Sequence, residues 1–230
     1  LNDSNHTSNV VSMDYKQFCT DSKCVYLRLN VDVPWQDLWR EAEPHRDSCV
    51  AKDYVTDDGS QSSQGWSAGS LHGHGFDQIN SRHAYLGPMR GLDTGYRWTE
   101  WVESECPVTV DYFKHQFTPH TQYRRIRWMW LAPGGWIAPH VDHDQRCVDI
   151  NIAVNNPDQC TFEYDDSTIP FQPGTAYILA THLRHAVYNR SDQWRLHIQI
   201  NQGKDHTQWL DDVIADSYDR YHNTIYRSDQ

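Results

Sequence analysis

The second half of the chain is a succession of short stretches rich in β-branched and aromatic residues, divided by turn residues. The stretches lie at residues 123–132, 136–143, 147–154, 160–164, 175–180, 184–189 and 194–201. The turns contain Pro133–Gly135, Asn155–Asp158, Asp165–Ser167 and Pro173–Gly174. Short strands at such spacing are typical of a sandwich or a jelly roll. We therefore predict a mainly β protein with flanking helices and a cupin-like jelly-roll core.

The first half is less regular and is predicted to elaborate this core. Residues 1–20 are rich in Ser, Asn and Asp, so we expect a loose tail there. A strand is predicted at residues 25–33, followed by a helix that begins at Pro34. The Gly-rich segment 65–75 is predicted to be extended. We expect irregular chain at residues 45–65 and 78–104.

At 230 residues we expect a single domain. Residues 123–203 form its predicted core, and residues 25–120 its α/β elaboration, which could place a lid over the mouth of the barrel. A short helix is predicted at residues 106–115, with Pro107 in its first turn. An amphipathic helix at residues 206–222 is predicted to follow the core.

Composition and charge limit the classes of partner that the protein is expected to bind. The net charge of −11 argues against nucleic-acid binding, which requires a basic surface. No stretch has the roughly 18 to 20 apolar residues of a membrane span, and there is no signal-peptide pattern. A cytoplasmic protein with a small-molecule or peptide substrate is therefore expected. The six cysteines are too few and too scattered for a disulfide scaffold, although Cys19 and Cys24 could pair.

Three residues of the second half have side chains suited to a metal. His140 and Asp142 are two residues apart on a predicted strand, so they share one face. His185 lies on a later predicted strand. Two histidines and one carboxylate on a β scaffold can form the facial triad that binds Fe(II) and leaves positions open for O2 and a co-substrate. We predict these three as the metal ligands and catalytic centre.

Arg195 adds a feature that a simple metal site does not need. It lies on the strand after His185, and its guanidinium could form a two-pronged pair with a carboxylate of the co-substrate. His197 shares its face and is a candidate partner. Without Arg195, buried core histidines would explain His140 and His185 equally well. A second His-x-Asp pair, His45–Asp47, lacks downstream residues to complete a site.

At these residues the sequence resembles the aspartyl/asparaginyl β-hydroxylase family of Fe(II)- and 2-oxoglutarate-dependent dioxygenases. The resemblance is carried by Pro133–Gly134, Pro139–His140, the His185–Asn189 block and Arg195, and covers roughly residues 123–203, with a weaker match at 65–73. It implies a double-stranded β-helix, iron between His140 and His185, and the distal carboxylate of 2-oxoglutarate on Arg195.

Two departures bear on the substrate. The founding mammalian members of the family lack the carboxylate ligand, whereas Asp142 is present here. The family often places an Arg and a His on the strand after the first ligand, where this chain has Asp149 and Asn151. Asn151 could donate a hydrogen bond to the co-substrate, but Asp149 could not favour an anion. We therefore expect altered contacts to the substrate or to the proximal carboxylate of 2-oxoglutarate.

The resemblance implies hydroxylation of an unactivated C–H bond, with release of succinate and CO2; desaturation and cyclisation remain alternatives. Substrate candidates are Trp66, His72 and His74 of the Gly-rich segment, and Arg127 at the start of the core. Their alternative interpretations are a core aromatic residue, surface histidines and a strand-edge charge. Two other functions compete: a non-catalytic, cupin-like binding protein, and a zinc hydrolase that uses the same three ligands.

Overall fold

The computed structural model describes most of the predicted core and much of what packs on it. The described residues are 13–20, 24–52, 55, 59–73, 97–117, 125–142, 148–201, 207–221 and 226–227. They form a curled antiparallel sheet with short helices, which confirms the predicted jelly-roll class. None of the described helices is long and apolar enough to cross a membrane.

The strands are β1 Cys24–Leu29, β2 Val50–Ala51, β3 Ser63–Gly73, β4 Arg97–Trp98, β5 Arg125–His140, β6 Val148–Asn155, β7 Cys160–Tyr164, β8 Ser167–Thr168, β9 Thr175–Ala180, β10 His185–Asn189, β11 Arg195–Asn201 and β12 Tyr226–Arg227. The helices are α1 Tyr15–Thr20, α2 Trp35–Ala42, α3 Glu100–Glu105, α4 Pro107–Asp111 and α5 Gln208–Tyr221, with a 3-10 helix at Glu43–Ser48 and a π-helical turn at Tyr112–Phe117.

The sheet turns back on itself along β5. Its strand order is β12-β1-β9-β6-β11-β5-β10-β7-β8, and β3 pairs along β5 outside this path. The first part of β5, Arg125–Leu131, pairs with β11, and its last part, Trp136–His140, pairs with β10. The first layer thus consists of strands β1, β9, β6 and β11 and the start of β5. The second layer consists of the end of β5 and strands β10, β7 and β8.

Side-chain alternation gives the sheet two cores. Trp128 and Trp130 of β5 are fully buried in the larger core, which also contains Leu38 of α2 and Ile214 of α5. Residues 127, 129 and 131, which alternate with these tryptophans on β5, point the other way, into the space between the two layers. This interior contains a smaller apolar core to which both layers contribute, Leu179 from the first and Phe162 from the second among them. Several polar side chains share this interior.

The bend of β5 depends on two glycines. Gly134 has φ +69°, in the left-handed region, with nothing within 4 Å of where a Cβ would lie. A Cβ on Gly135 would lie 2.9 Å from the carbonyl oxygens of Ala132 and Gln64. The first position therefore requires unusual backbone angles and the second a close backbone approach.

Asn189, the last residue of β10, holds this bend against the second layer. Its side chain is buried, and Nδ2 donates to the carbonyl oxygens of Leu131, Ala132 and Gln193 at 3.1, 3.0 and 2.7 Å. Its Oδ1 accepts from the hydroxyl of Ser191 at 2.6 Å. One amide thus joins the β10–β11 turn to the middle of β5.

Two expectations about the chain before the core were wrong. Residues 13–20 include α1, and both Met13 and Phe18 belong to the larger core rather than to a loose tail. The polar composition of residues 1–20 concealed these two apolar anchors. Residues 45–65, expected to be irregular, contain β2 and the start of β3, because β2 finds its partner farther along the chain in β3.

The predicted division of residues 123–143 into two strands was also wrong. β5 continues through Pro133 because both of its parts pair with β3, Leu131 opposite Trp66 and Trp136 opposite Gln64. Pro133 is tolerated where the register between β3 and β5 shifts. The strand ends at His140, before Asp142.

Candidate metal centre

His140 and His185 face each other at the ends of neighbouring strands. They are directly paired between β5 and β10, with ring centroids 4.3 Å apart. His140 Nδ1 lies 2.9 Å from the carbonyl oxygen of Ala138, and His185 Nδ1 lies 2.8 Å from that of Leu183. Because a carbonyl oxygen only accepts, Nδ1 carries the hydrogen in both rings. In the neutral ring, each Nε2 therefore has the lone pair that a metal ion requires.

Asp142 completes the cluster from beyond the strand. Its Oδ1 lies 3.3 Å from His140 Nε2, and its Oδ2 lies 3.8 Å from His185 Nε2. One ligand atom from each residue lies within 4.8 Å of the other two. The expected position of Asp142 on the strand was wrong, since it follows the end of β5 and its backbone N–H donates to Thr181 O at 3.0 Å. This turn directs the carboxylate to the histidines.

The three groups shift one another's pKa. Burial acts to raise the pKa of Asp142, but the His140 hydrogen bond and the charges of both histidines and Arg127 outweigh it, so the pKa is lowered. Burial acts to lower the pKa of His140, but Asp142 and the Ala138 carbonyl raise it. For His185, burial and the charge of His140 dominate, and its pKa is lowered. An ionised carboxylate beside a neutral His185 suits a cation.

The centre is packed on one side and accessible on the other. The His185 side chain is 3% exposed, whereas those of His140 and Asp142 are 35% and 39% exposed. Phe162 of β7 stacks on the His185 ring at 5.0 Å with an angle of 10° between the planes. The apolar contact fixes His185, and the exposed side lets a ligand approach.

Arg195 extends into the interior from the start of β11. It is 4% exposed, and its Nη2 donates to His197 Nδ1 at 2.7 Å. His197 Nε2 therefore carries the hydrogen and donates to Asn156 Oδ1 at 3.2 Å. Burial, followed by the charge of Arg195, lowers the pKa of His197, so the ring remains neutral. His197 thus holds Arg195 in place.

Arg195 has capacity for a further ligand. Among the residues that the structure describes, its buried Nε has no hydrogen-bond partner, and no acidic side chain forms a salt bridge with the guanidinium. A buried guanidinium in this state is expensive unless an anion pairs with it. The carboxylate of a bound molecule fits this requirement.

A row of polar residues crosses the first layer on the interior side. Arg127 of β5 donates from Nε and Nη2 to Gln199 Oε1 of β11, the first bond at 2.8 Å. Gln199 Nε2 in turn donates to Asp149 Oδ2 of β6 at 2.5 Å. Asn151 is buried opposite Gln199. Arg127 therefore lies inside the sandwich and not at a strand edge.

Two of the other predicted substrate residues, Trp66 and His72, lie on β3. Trp66 is the β3 residue paired with Leu131 of β5, and Leu131 is paired on its other side with Arg195 of β11. The Nζ of Lys52 lies 5.6 Å from the centre of the Trp66 ring. His72 is buried, not at the surface, and contacts the ring of Trp98 at 5.3 Å. His74 lies outside the described residues.

Three residues of the site were missed in the sequence. Tyr164 and Phe162 lie on the interior face of β7, and Gln199 on that of β11. Alternation alone could have placed them on the interior face. Their contacts with His185 and Asp149 depend on the pairing of strands that are distant in sequence.

The family follows from comparison with protein-family models. The model described as Aspartyl/Asparaginyl beta-hydroxylase matches residues 34–202, most of the chain. The chain belongs to this family. It is therefore a hydroxylase of the Fe(II)/2-oxoglutarate-dependent dioxygenase type, in agreement with the resemblance seen in its sequence. The matched range includes the candidate metal ligands His140, Asp142 and His185, and also Arg195.

Solved structures resemble the fold at a distance. An oxidoreductase of the 2OG-Fe(II) oxygenase family from Burkholderia pseudomallei is 12% identical, with 81% of this chain and 88% of that chain covered and a TM-score of 0.46. A prolyl-4-hydroxylase from Pseudomonas putida is 10% identical, with 82% and 97% covered and a TM-score of 0.45. A viral collagen prolyl hydroxylase from Paramecium Bursaria Chlorella virus-1 is also 10% identical, with 77% and 94% covered and a TM-score of 0.42. No curated protein sequence matches the chain significantly.

Proposed function

We propose that this hydroxylase acts on an unactivated C–H bond of a small polar molecule or an amino-acid side chain and releases succinate and CO2. In this proposal His140, Asp142 and His185 hold Fe(II), and Arg195 binds the distal carboxylate of 2-oxoglutarate. The observation that carries it is the convergence of two imidazole Nε2 atoms and one carboxylate within 4.8 Å.

The donor set supports iron at this position. Both histidines are oriented through Nδ1, and the carboxylate remains ionised beside their Nε2 atoms. Two imidazoles and one carboxylate are the ligands of non-haem Fe(II) oxygenases. When bound, iron would supply, with O2 and 2-oxoglutarate, the oxidation that the side chains cannot perform themselves.

The surroundings of Arg195 support a dicarboxylate co-substrate. Its guanidinium is buried, and Nη2 is held by His197, while Nε has no hydrogen-bond partner among the described residues. In a buried site, a charge-assisted pair with a carboxylate is stronger than at the surface. His197 acts through Arg195 and is a positioning residue.

We expect Arg195→Ala to weaken 2-oxoglutarate binding about 10- to 100-fold, because charge-assisted hydrogen bonds contribute roughly 1.5–3 kcal/mol. The measurement is anaerobic titration with Fe(II) and 2-oxoglutarate, following the metal-to-ligand charge-transfer band in the visible. Asp142→Ala should weaken the band by reducing metal affinity. Arg190→Lys, which changes an exposed arginine of the β10–β11 turn, should leave the titration unchanged.

Two results would contradict the proposal. If folded, metal-loaded wild-type protein forms no band with 2-oxoglutarate, the site does not bind this co-substrate. A non-catalytic, cupin-like binding function would then explain the fold better. If the band is unaffected by Arg195→Ala, the carboxylate lies elsewhere.

A further inference from the structure

Asp149 is a buried carboxylate with one unused acceptor. It is 3% exposed, and it lies on the interior face of β6. Oδ2 accepts from Gln199, whereas Oδ1 is buried without a hydrogen-bond partner among the described residues. A buried charged oxygen that lacks a partner is costly, and such groups call for a ligand or a bound water.

The orientation of this carboxylate is fixed by the row behind it. Arg127 donates twice to Gln199 Oε1, so the amide of Gln199 can only present Nε2 to Asp149. This bond holds Oδ2 and leaves Oδ1 as the free atom. Arg127 and Gln199 are therefore positioning residues for Asp149.

A second unpaired polar atom lies across the interior. The hydroxyl of Tyr164, on β7 of the second layer, is buried without a partner among the described residues. Tyr164 is directly paired with His185, and their rings are 6.0 Å apart. Burial, then the charges of Asp142 and Asp149, raises the pKa of this hydroxyl. Two unused polar atoms thus lie on opposite layers of the sandwich, and Tyr164 is the strand partner of the candidate ligand His185.

We propose that Asp149 determines substrate specificity, and that its Oδ1 binds a protonated amine of the substrate, with the Tyr164 hydroxyl as a second contact. This inference rests on the proposed function and specifies its substrate class as amine-bearing compounds. It follows from the type of the free atoms: a carboxylate oxygen only accepts, and a cationic nitrogen is the donor that offsets its burial best.

The test is binding to protein loaded with Mn(II), a redox-inert substitute for iron, and 2-oxoglutarate. The probes are the proteinogenic L-amino acids and short alkyl diamines, each compared with its N-acetyl derivative by calorimetry. We expect at least one amine to bind about 10-fold or more tightly than its acetylated form. Asp149→Asn should weaken the binding of that amine about 10- to 100-fold, since it removes one charge-assisted hydrogen bond while the shape of the side chain stays nearly constant.

Two further variants make the test specific. Asp158→Asn changes an exposed aspartate in the β6–β7 turn and should retain the preference for the amine. Tyr164→Phe removes the unpaired hydroxyl and keeps the buried ring, so it should weaken amine binding about 3- to 10-fold. It provides a second test if Asp149→Asn does not fold.

The inference is overturned if no amine binds more tightly than its acetylated form, or if the preference persists in Asp149→Asn. It is also overturned if Asp149→Asn weakens the binding of 2-oxoglutarate as strongly as the binding of the amine, because Asp149 would then act on the co-substrate. Failure of wild-type protein to bind 2-oxoglutarate contradicts the proposed function itself. Normal 2-oxoglutarate binding without amine preference contradicts the inference alone.

Discussion

Asp149 brings an ionisable group into the interior of the sandwich, and the protein's stability should depend on pH as a result. Burial, followed by the charge of Asp142, raises the pKa of Asp149 to about 6, against the pull of Arg127, Arg125 and Gln199. The folded protein therefore binds this proton more tightly than the unfolded chain. Protonation of Asp149 favours folding below about pH 4, and this contribution is lost as the pH rises through about 6.

We predict that Asp149→Asn removes this dependence from the metal-free protein. From pH 4 to pH 8, the free energy of unfolding of the variant should increase relative to that of wild type by up to about 3 kcal/mol. Urea unfolding at a series of pH values measures the difference. Asp158→Asn is the control, and parallel pH curves for wild type and Asp149→Asn would show that the shift is absent.

At the scale of the element, β5 joins the two layers and depends on the bend at Gly134 and Gly135. We predict that Gly135→Ala costs about 2–4 kcal/mol, because its Cβ would meet two carbonyl oxygens at 2.9 Å. Gly134→Ala should cost only about 1–2 kcal/mol, since it has space but an unfavourable φ. Chemical denaturation of both variants checks the order. Equal losses would mean that the approach of Gln64 to Gly135 relaxes freely.

The elements differ in how far the sequence could specify them. The strands after β5 were predicted closely because alternation and turn residues are local signals. The continuity of β5 could not be predicted, because it depends on pairing with β3, far away in the chain. For the same reason His140, Asp142 and His185 could be found by residue type, whereas the contact of Gln199 with Asp149 depends on cross-strand register.

For the whole molecule, the site combines contributions from both layers. The histidines lie where β5 and β10 meet, on the second layer, and Arg195 and Asp149 lie on the first. A molecule that binds both ends of this interior would hold the layers together. Binding of metal and co-substrate should therefore add to global stability.

We predict that Mn(II) and 2-oxoglutarate, each at about 100 times its Kd, raise Tm in two separate steps. Each step corresponds to about 2.7 kcal/mol, or roughly 5–10 °C for a chain of this size. Differential scanning calorimetry measures both. Arg195→Ala should keep the metal step and lose the co-substrate step at the same ligand concentrations. A variant that keeps both steps would contradict the assignment of Arg195.

The amide of Asn189 has a consequence beyond packing. Asn189, Arg190 and Ser191 form the acceptor sequence for N-linked glycosylation. The nitrogen that would carry the sugar is the one that donates to three carbonyl oxygens. Incubation of folded protein with an oligosaccharyltransferase should therefore add no mass at this residue. A glycan attached before folding would keep the β10–β11 turn away from β5, so at this sequon glycosylation and the native fold exclude each other.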